Sequence, residues 1–138
     1  MQITRQADYA VRAVLYLAQL GPDRRAATSQ IAEDQQIPPS FLAKIVSQLS
    51  VAGLLQTSRG ARGGVSLART PDLISLREVV EAIDGPILLN ECVSNHSSCY
   101  YCPMRPIWCE AQLELVTRLE KTTFDKFVNG DKALINLN

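Results

Sequence analysis

Apolar residues recur at helical spacing along the first twenty positions of the chain, at Ile3, Ala7, Ala10, Val11, Val14, Leu15 and Ala18. The spacing predicts an amphipathic helix with Thr4 as a possible N-cap and Gly21-Pro22 as its stop. A polar loop, PDRRAAT, follows. The next stretch, TSQIAEDQQ, predicts a short second helix that is opened by Thr28 or Ser29.

A third helix is predicted over residues 39–52. Proline suits the first helical turn, where its missing N–H would have no partner, so Pro38-Pro39 restarts the chain. One stripe is apolar, with Leu42, Ile45, Val46 and Leu49, and Gly53 fits the position after the helix end. The opposite face is small or basic, with Ser40, Ala43, Lys44 and Ser47. This face is suited to a flat and negatively charged partner.

Two short strand-like runs, LLQTS and VSLAR, flank the loop RGARGG and predict a β-hairpin. Glycines let the loop backbone approach a surface closely, while Arg59 and Arg62 can contact phosphates or the minor groove. A helix, a helix-turn-helix and a basic hairpin, in this order, predict a winged helix. Its helix 39–52 would enter the major groove of DNA.

Two more helices are predicted beyond the hairpin. SLREVVEAIDG predicts a short helix from Ser75 to about Asp84, and Pro106 opens a final helix that runs to about Val128. The final helix carries an apolar side, with Trp108, Ala111, Leu115, Val116, Leu119 and Phe127. A helix this long in so small a domain needs a partner surface, and a second copy of the chain is the simplest candidate.

The expected fold class is therefore mainly α with a small β-hairpin, a winged helix-turn-helix plus a long C-terminal dimerisation helix. We expect three segments: a winged-helix DNA-binding region over 1–70, a short helix and cysteine-rich loop over 71–105, and a dimerisation helix and tail over 106–138. The 46% hydrophobic content indicates a folded protein. No apolar run is long enough to span a membrane and no cleavable signal opens the chain, so we expect a cytoplasmic protein.

The net charge of zero hides an asymmetry between the two halves. Residues 1–69 carry eight Lys/Arg and four Asp/Glu, so +4, whereas residues 70–138 carry six and ten, so −4. A basic first half favours a polyanionic partner for that half.

All four cysteines fall between Cys92 and Cys109, in the pattern C-x6-C-x2-C-x6-C. Such clustering in a cytoplasmic protein indicates metal or redox chemistry, and thiolates are ligands that iron–sulfur clusters and zinc favour. A redox disulfide and unligated loop thiols are the alternatives. Cys99 and Cys102 could form the CxxC of a thiol oxidoreductase, but no βαβ pattern surrounds them. His96, in the same loop, is expected to be a solvated side chain.

These segments together resemble the IscR/NsrR-type bacterial regulators: ITRQADYAVRAVLYLA, SQIAEDQQIPPSFLAKIV, SRGARGGVSLAR, and the cysteine loop followed by CPMRPIW. The resemblance covers about residues 1–128. It implies a homodimeric winged-helix transcription factor, and in many members a [2Fe-2S] or [4Fe-4S] cluster whose state changes DNA binding. It also places Ser40 and Lys44 on the recognition helix and Arg59 on the wing. Ala43 stands where some cluster-sensing members use Glu to read a base.

The resemblance also bears on the cluster ligands, although the cysteines depart from the usual set of three. The CPMRPIW register makes Cys102 the third cysteine and Cys92 the first, with Cys99 close to Cys102 and Cys109 extra. We expect thiolates from Cys92, Cys99 and Cys102. The fourth ligand would be Asp8, donated by the partner subunit as in some members, or Cys109, with His96 third in order.

The sequence therefore predicts a regulator, a repressor, that binds an imperfect palindromic operator through Ser40, Lys44, Ser47, Arg59 and Arg62. An iron–sulfur cluster would control this binding in response to redox, iron or nitric oxide status. One alternative keeps the fold and replaces the cluster by a partner protein. Another, from a different class, is the CxxC thiol oxidoreductase.

Overall fold

The computed structural model describes residues 2–90, 93 and 102–128. These residues form five α-helices, a two-stranded antiparallel sheet and two short 3-10 helices. The helices are α1 (Arg5–Leu20), α2 (Thr28–Gln35), α3 (Pro39–Val51), α4 (Leu76–Asp84) and α5 (Arg105–Lys121). The strands are β1 (Leu55–Ser58) and β2 (Gly64–Leu67), and the 3-10 helices are Pro71–Leu73 and Phe124–Phe127. This order of elements confirms the predicted winged helix.

The first helix begins and ends where the pattern predicts. The Thr4 hydroxyl accepts a hydrogen bond from the Ala7 N–H at 3.1 Å, which satisfies one of the free donors of the first turn. The Thr4 N–H donates in turn to the Asp84 carboxylate at 3.2 Å. The end of α4 is thereby fastened to the start of α1.

The turn between α2 and α3 is tight. Gln36 adopts the left-handed conformation, and the Ile37 N–H donates to the Ala32 carbonyl at 2.9 Å. Pro39 occupies the first turn of α3, as predicted. Helix α2 begins at Thr28, one of the two residues predicted to open it, and its N-cap is Ala27, which has no side chain able to accept a hydrogen bond.

The hairpin pairs Leu55 with Leu67 and Ser58 with Gly64, so residues 59–63 form the connecting loop. The sequence did not reveal that Ala26, between α1 and α2, also pairs with Val65 as an isolated antiparallel bridge. The hairpin is therefore attached to the loop between the first two helices as well as to α3.

A single main cluster of buried apolar residues joins α1, α2, α3, the hairpin and α4. The predicted stripe of α3 is buried within it, with Leu42 and Ile45 each 1% exposed and Leu49 fully buried. A smaller cluster forms around Ala7, Val80 and Ile87, and Leu115 and Leu119 of α5 pack against it. Helix α3 is thus held on the same core as α4, whereas α5 packs against the smaller cluster.

The final helix is shorter than predicted. It ends at Lys121, and Thr122 is extended, with φ −88° and ψ 101°. The chain then pairs with the segment before α4, because the Leu76 N–H donates to the Thr122 carbonyl at 2.8 Å. Phe124, 4% exposed, enters the core of its own chain. Phe127 lies in the following 3-10 helix, so it does not continue the apolar side of α5.

The described part of the chain contains no helix that is long and apolar enough to cross a membrane.

Candidate DNA interface and cysteine site

The outer face of α3 carries the side chains that the sequence assigns to base recognition. Ser40, Lys44 and Ser47 are all exposed, and their spacing places them along one side of the helix. The buried stripe on the opposite side holds this face outward. The face contains no acidic side chain, since the whole of α3 reads PSFLAKIVSQLSV. It can therefore approach a polyanion without charge repulsion.

An aromatic pair fixes the first turn of α3 to α1. Phe41 is 42% exposed and packs against Tyr9, with ring centroids 6.3 Å apart and ring planes at 52°. The Arg12 guanidinium lies over the Tyr9 ring, 5.0 Å from its centre. Sequence reasoning missed this contact because positions 9, 12 and 41 do not stand out in either helical pattern. It connects α3 directly to α1.

The wing presents the two arginines that the sequence predicts there. Arg59 and Arg62 are exposed in the loop between β1 and β2. The Gly63 N–H donates to the Gly60 carbonyl at 2.9 Å, which closes the loop as a turn. Both guanidinium groups are therefore carried by a compact turn at the tip of the hairpin.

Asp8 lies on α1 with its side chain 59% exposed, and it forms an ion pair with Arg12 at 3.1 Å. The second terminal nitrogen of Arg12 donates to the Gln35 carbonyl at 3.2 Å, at the end of α2. Arg12 therefore links the Asp8 carboxylate to the helix-turn-helix. The α1 spacing of Asp8 and Arg12, at i and i+4, could have been found from the sequence, whereas the contact with Gln35 could not.

Two of the four cysteines belong to the described residues. Cys102 is half-buried just before α5, and its carbonyl accepts a hydrogen bond from the Arg105 N–H at 3.2 Å. Cys109 is exposed within α5, and both thiols are free. Cys92, Cys99 and His96 lie outside the described residues. Within residues 2–90 and 102–128, no three histidine, cysteine or acidic side chains converge as a metal site.

Solved structures share this architecture. The structure of CymR, the global cysteine regulator of B. subtilis, matches with a TM-score of 0.76 at 23% identity, over 94% of this chain and 97% of the CymR chain. The structure of IscR from T. potens matches with a TM-score of 0.77 at 22% identity, over 100% of this chain and 94% of the IscR chain. At these identities the likeness establishes the fold alone.

Sequence relatives establish the kind of protein. The chain is 31% identical to the HTH-type transcriptional regulator NsrR of Halalkalibacterium halodurans, over 99% of both chains. It is 29% identical to NsrR of Bacillus subtilis, over 99% of this chain and 97% of that one. These relatives are transcriptional regulators and not enzymes, which removes the thiol oxidoreductase alternative. The Rrf2 family profile, described as iron-dependent transcriptional regulator, matches residues 3–130, and the chain belongs to this family of transcriptional regulators.

Proposed function

We propose that this regulator is a homodimeric cytoplasmic repressor that reads an imperfect palindromic operator through α3 and the wing. The observation that carries the proposal is the exposed, acid-free face of α3 together with the two exposed arginines of the wing. Ser40, Lys44 and Ser47 would contact base edges in the major groove, where hydroxyl and ammonium groups donate to base acceptors. Arg59 and Arg62 would contact the backbone or the minor groove.

The dimer is proposed from the exposed apolar residues at the start of α5. Met104, Ile107 and Trp108 are 50%, 55% and 37% exposed, and they follow one another within two helical turns. Such a patch on a helix is unfavourable in water and is covered when two copies pair about a two-fold axis. In this division of labour residues 1–70 bind DNA, 71–105 hold the cysteine loop and 106–138 dimerise.

The DNA proposal is tested with the double variant Lys44→Ala/Arg59→Ala. A duplex selected by the wild-type protein from a random library serves as the probe in a fluorescence anisotropy titration. A good base contact contributes about 1–3 kcal/mol of discrimination, so loss of Lys44 from one half-site alone should weaken binding by about 5- to 150-fold. The double variant lacks Lys44 and Arg59 at both half-sites, so its loss of affinity should be larger. Lys121→Ala is the matched control, because it removes an exposed lysine from the end of α5. Unchanged affinity in the double variant would refute the placement.

We further propose that the cysteine segment holds an iron–sulfur cluster that controls operator binding. Cys92, Cys99 and Cys102 would supply thiolates, and the fourth ligand would be Asp8 of the partner subunit or Cys109. The described donors suit this role, since Cys102 and Cys109 are free thiols and Asp8 is an exposed carboxylate. Such a cluster would supply a centre that oxidants, nitric oxide or iron shortage can alter.

The contacts of Arg12 suggest how Asp8 could report to the DNA-binding face. A carboxylate bound to iron would no longer be fully available to Arg12, whose guanidinium also bonds Gln35 and lies over Tyr9. Tyr9 in turn packs on Phe41 of the recognition helix. A change at Asp8 would therefore alter the restraints on both helices of the helix-turn-helix. This favours Asp8 over Cys109 as the fourth ligand.

Anaerobic purification followed by iron and sulfide analysis tests the cluster directly. We expect stoichiometric iron and sulfide, with visible absorbance that Cys92→Ala or Cys102→Ala removes. Asp8→Ala should lower the iron content or change the spectrum, while Cys109→Ala should leave both intact. Full occupancy after loss of Cys92 or Cys102 would refute the ligand set, and the opposite result for Asp8 and Cys109 would reassign the fourth ligand.

A cluster-free regulator controlled by a partner protein is the second candidate. The structural likeness to CymR, described as a global cysteine regulator, favours it, since it indicates that this fold also serves regulators described without iron. An anaerobic preparation that lacks iron and sulfide but binds the selected operator would support this candidate.

A further inference from the structure

The loop between α1 and α2 runs beside the wing and is joined to it by hydrogen bonds. The Ala26 N–H donates to the Val65 carbonyl at 3.0 Å, and the Val65 N–H donates to the Ala26 carbonyl at 2.8 Å. Nearer the tip of the wing, the Arg25 guanidinium donates to the Arg62 carbonyl at 3.4 Å. The loop is thus an added edge of the hairpin.

The loop between α1 and α2 also approaches the wing closely at Gly64. A Cβ at Gly64 would lie 2.7 Å from the Ala26 carbonyl oxygen, so the backbones are in direct contact at this point. Glycine at this position is what allows the approach. Residues carried by the loop therefore keep a fixed position relative to the wing.

Four arginines share this ridge, two from the loop and two from the wing. Arg24, Arg25, Arg59 and Arg62 are all exposed, and Asp23 is the one acidic residue within 22–25 and 59–62, so the ridge carries +3. Within the described part of the chain, the side chains of Arg24, Arg59 and Arg62 have no hydrogen-bond or ion-pair partner among the contacts of the structure. Their guanidinium donors are available to an external anion.

We propose that Arg24 and Arg25 form a second backbone contact that extends the DNA footprint beyond the wing. This inference rests on the proposed operator binding and adds a contact that neither α3 nor the wing supplies. A planar guanidinium binds two phosphate oxygens at once, and a ridge fixed to the wing would meet the strand that borders the wing's groove. The contact would raise affinity for any sequence, because phosphates carry no sequence information.

The experiment measures the salt dependence of operator binding for Arg24→Ala and Arg24→Ala/Arg25→Ala. Each phosphate contact contributes about 0.9 to the slope of log K against log salt, and the proposed homodimer carries two copies of each arginine. The double variant should therefore lose about 3.6 and the single variant about 1.8. The preference between operator and scrambled DNA should stay unchanged. Arg24→Ala is the cleaner test of a phosphate contact, because Arg25→Ala also removes the hydrogen bond from Arg25 to the wing backbone. Circular dichroism verifies that both variants are folded.

Two controls complete the design. Arg118→Ala removes an exposed arginine from α5 and should leave the slope unchanged, while Arg24→Lys/Arg25→Lys should retain most of it. Hydroxyl-radical footprinting should show that Arg24→Ala/Arg25→Ala loses protection at the outer flank of the site only. A slope and footprint equal to wild type in that variant would overturn the inference, while the operator proposal would stand. A wild-type protein that binds no duplex selectively would instead overturn the operator proposal.

Discussion

The wing has room only for glycine at position 63, and Gly63→Ala tests the geometry that presents Arg59 and Arg62. A Cβ at this position would lie 2.3 Å from the Ser58 carbonyl oxygen, 2.8 Å from the Arg59 carbonyl carbon and 2.9 Å from the Gly60 carbonyl oxygen. All three are backbone atoms, so no side-chain rotation relieves the contact. Gly63 is not among the glycines with positive φ. The expected effect of Gly63→Ala therefore comes from steric overlap alone and not from an unfavourable backbone conformation.

Overpacking of this kind costs about 1–3 kcal/mol in the free energy of unfolding. For a chain of this size each kcal/mol lowers the midpoint of thermal unfolding by about 3–5 °C. Because the loop is exposed, part of the strain will be relieved by moving the wing, so operator affinity should also fall. Thermal denaturation and an anisotropy titration measure the two effects. A Gly63→Ala protein with wild-type stability and affinity would refute the reasoning.

Gly60 provides the matched control, because its requirement is conformational. Its φ is 100° and nothing lies within 4 Å of the position that a Cβ would take, so alanine there meets open space but an unfavourable backbone. Asparagine tolerates positive φ better than alanine does. Gly60→Asn should therefore be more stable than Gly60→Ala, whereas Gly63→Asn should be no better than Gly63→Ala.

Three further predictions concern stability. Leu49→Ala, at a fully buried position, should lower the free energy of unfolding measured in urea by about 2–5 kcal/mol. Val51→Ala, at an 88% exposed position, should change it by no more than about 0.5 kcal/mol. Equal losses in the two variants would contradict the burial of Leu49. Asp84→Ala should cost about 0.5–1.5 kcal/mol, because it removes the acceptor of the Thr4 N–H, and no loss would show that this contact is dispensable. The Tyr16 hydroxyl donates to Asp34 at 2.6 Å, which raises the pKa of Tyr16. Folding therefore favours the neutral form of Tyr16. The free energy of unfolding of the wild type should exceed that of Tyr16→Phe by its full amount below a pH of about 10, and this difference should vanish as the pH rises through the raised pKa. A difference that grows with pH would contradict this.

Local patterns were sufficient for most of the winged helix. The α3 stripe, the proline at its start and the glycine after its end each follow from short-range rules, and the structure confirms all three. The Thr4 cap and the hairpin around the glycine-rich loop follow in the same way. These features depend on residues no more than twelve positions apart, so the pattern of one segment is enough to specify them.

Long-range pairing decided the features that the sequence did not reveal. The final helix stops at Lys121 because Thr122 and Phe124 bond the backbone near Ile74 and Leu76, about fifty positions earlier. The Ala26–Val65 bridge and the Tyr9–Phe41 contact likewise join separate segments. A periodicity within one segment contains no information on which distant segment will lie beside it.

With Asp8 as the proposed fourth ligand, helix α1 would be the element that connects the cluster to the helix-turn-helix. One of its faces is buried in the core, which makes it a rigid support rather than a flexible arm. Its first turn is fastened to Asp84 at the end of α4, and its second contacts Gln35 and Phe41 of the helix-turn-helix. Asp8 lies between these two attachments. An exposed pair such as Asp8 with Arg12 contributes only about 0.3–0.5 kcal/mol to stability, so Asp8 can exchange partners at little cost to the fold. A signal at Asp8 would therefore change the restraints on α3 without unfolding the domain that carries it.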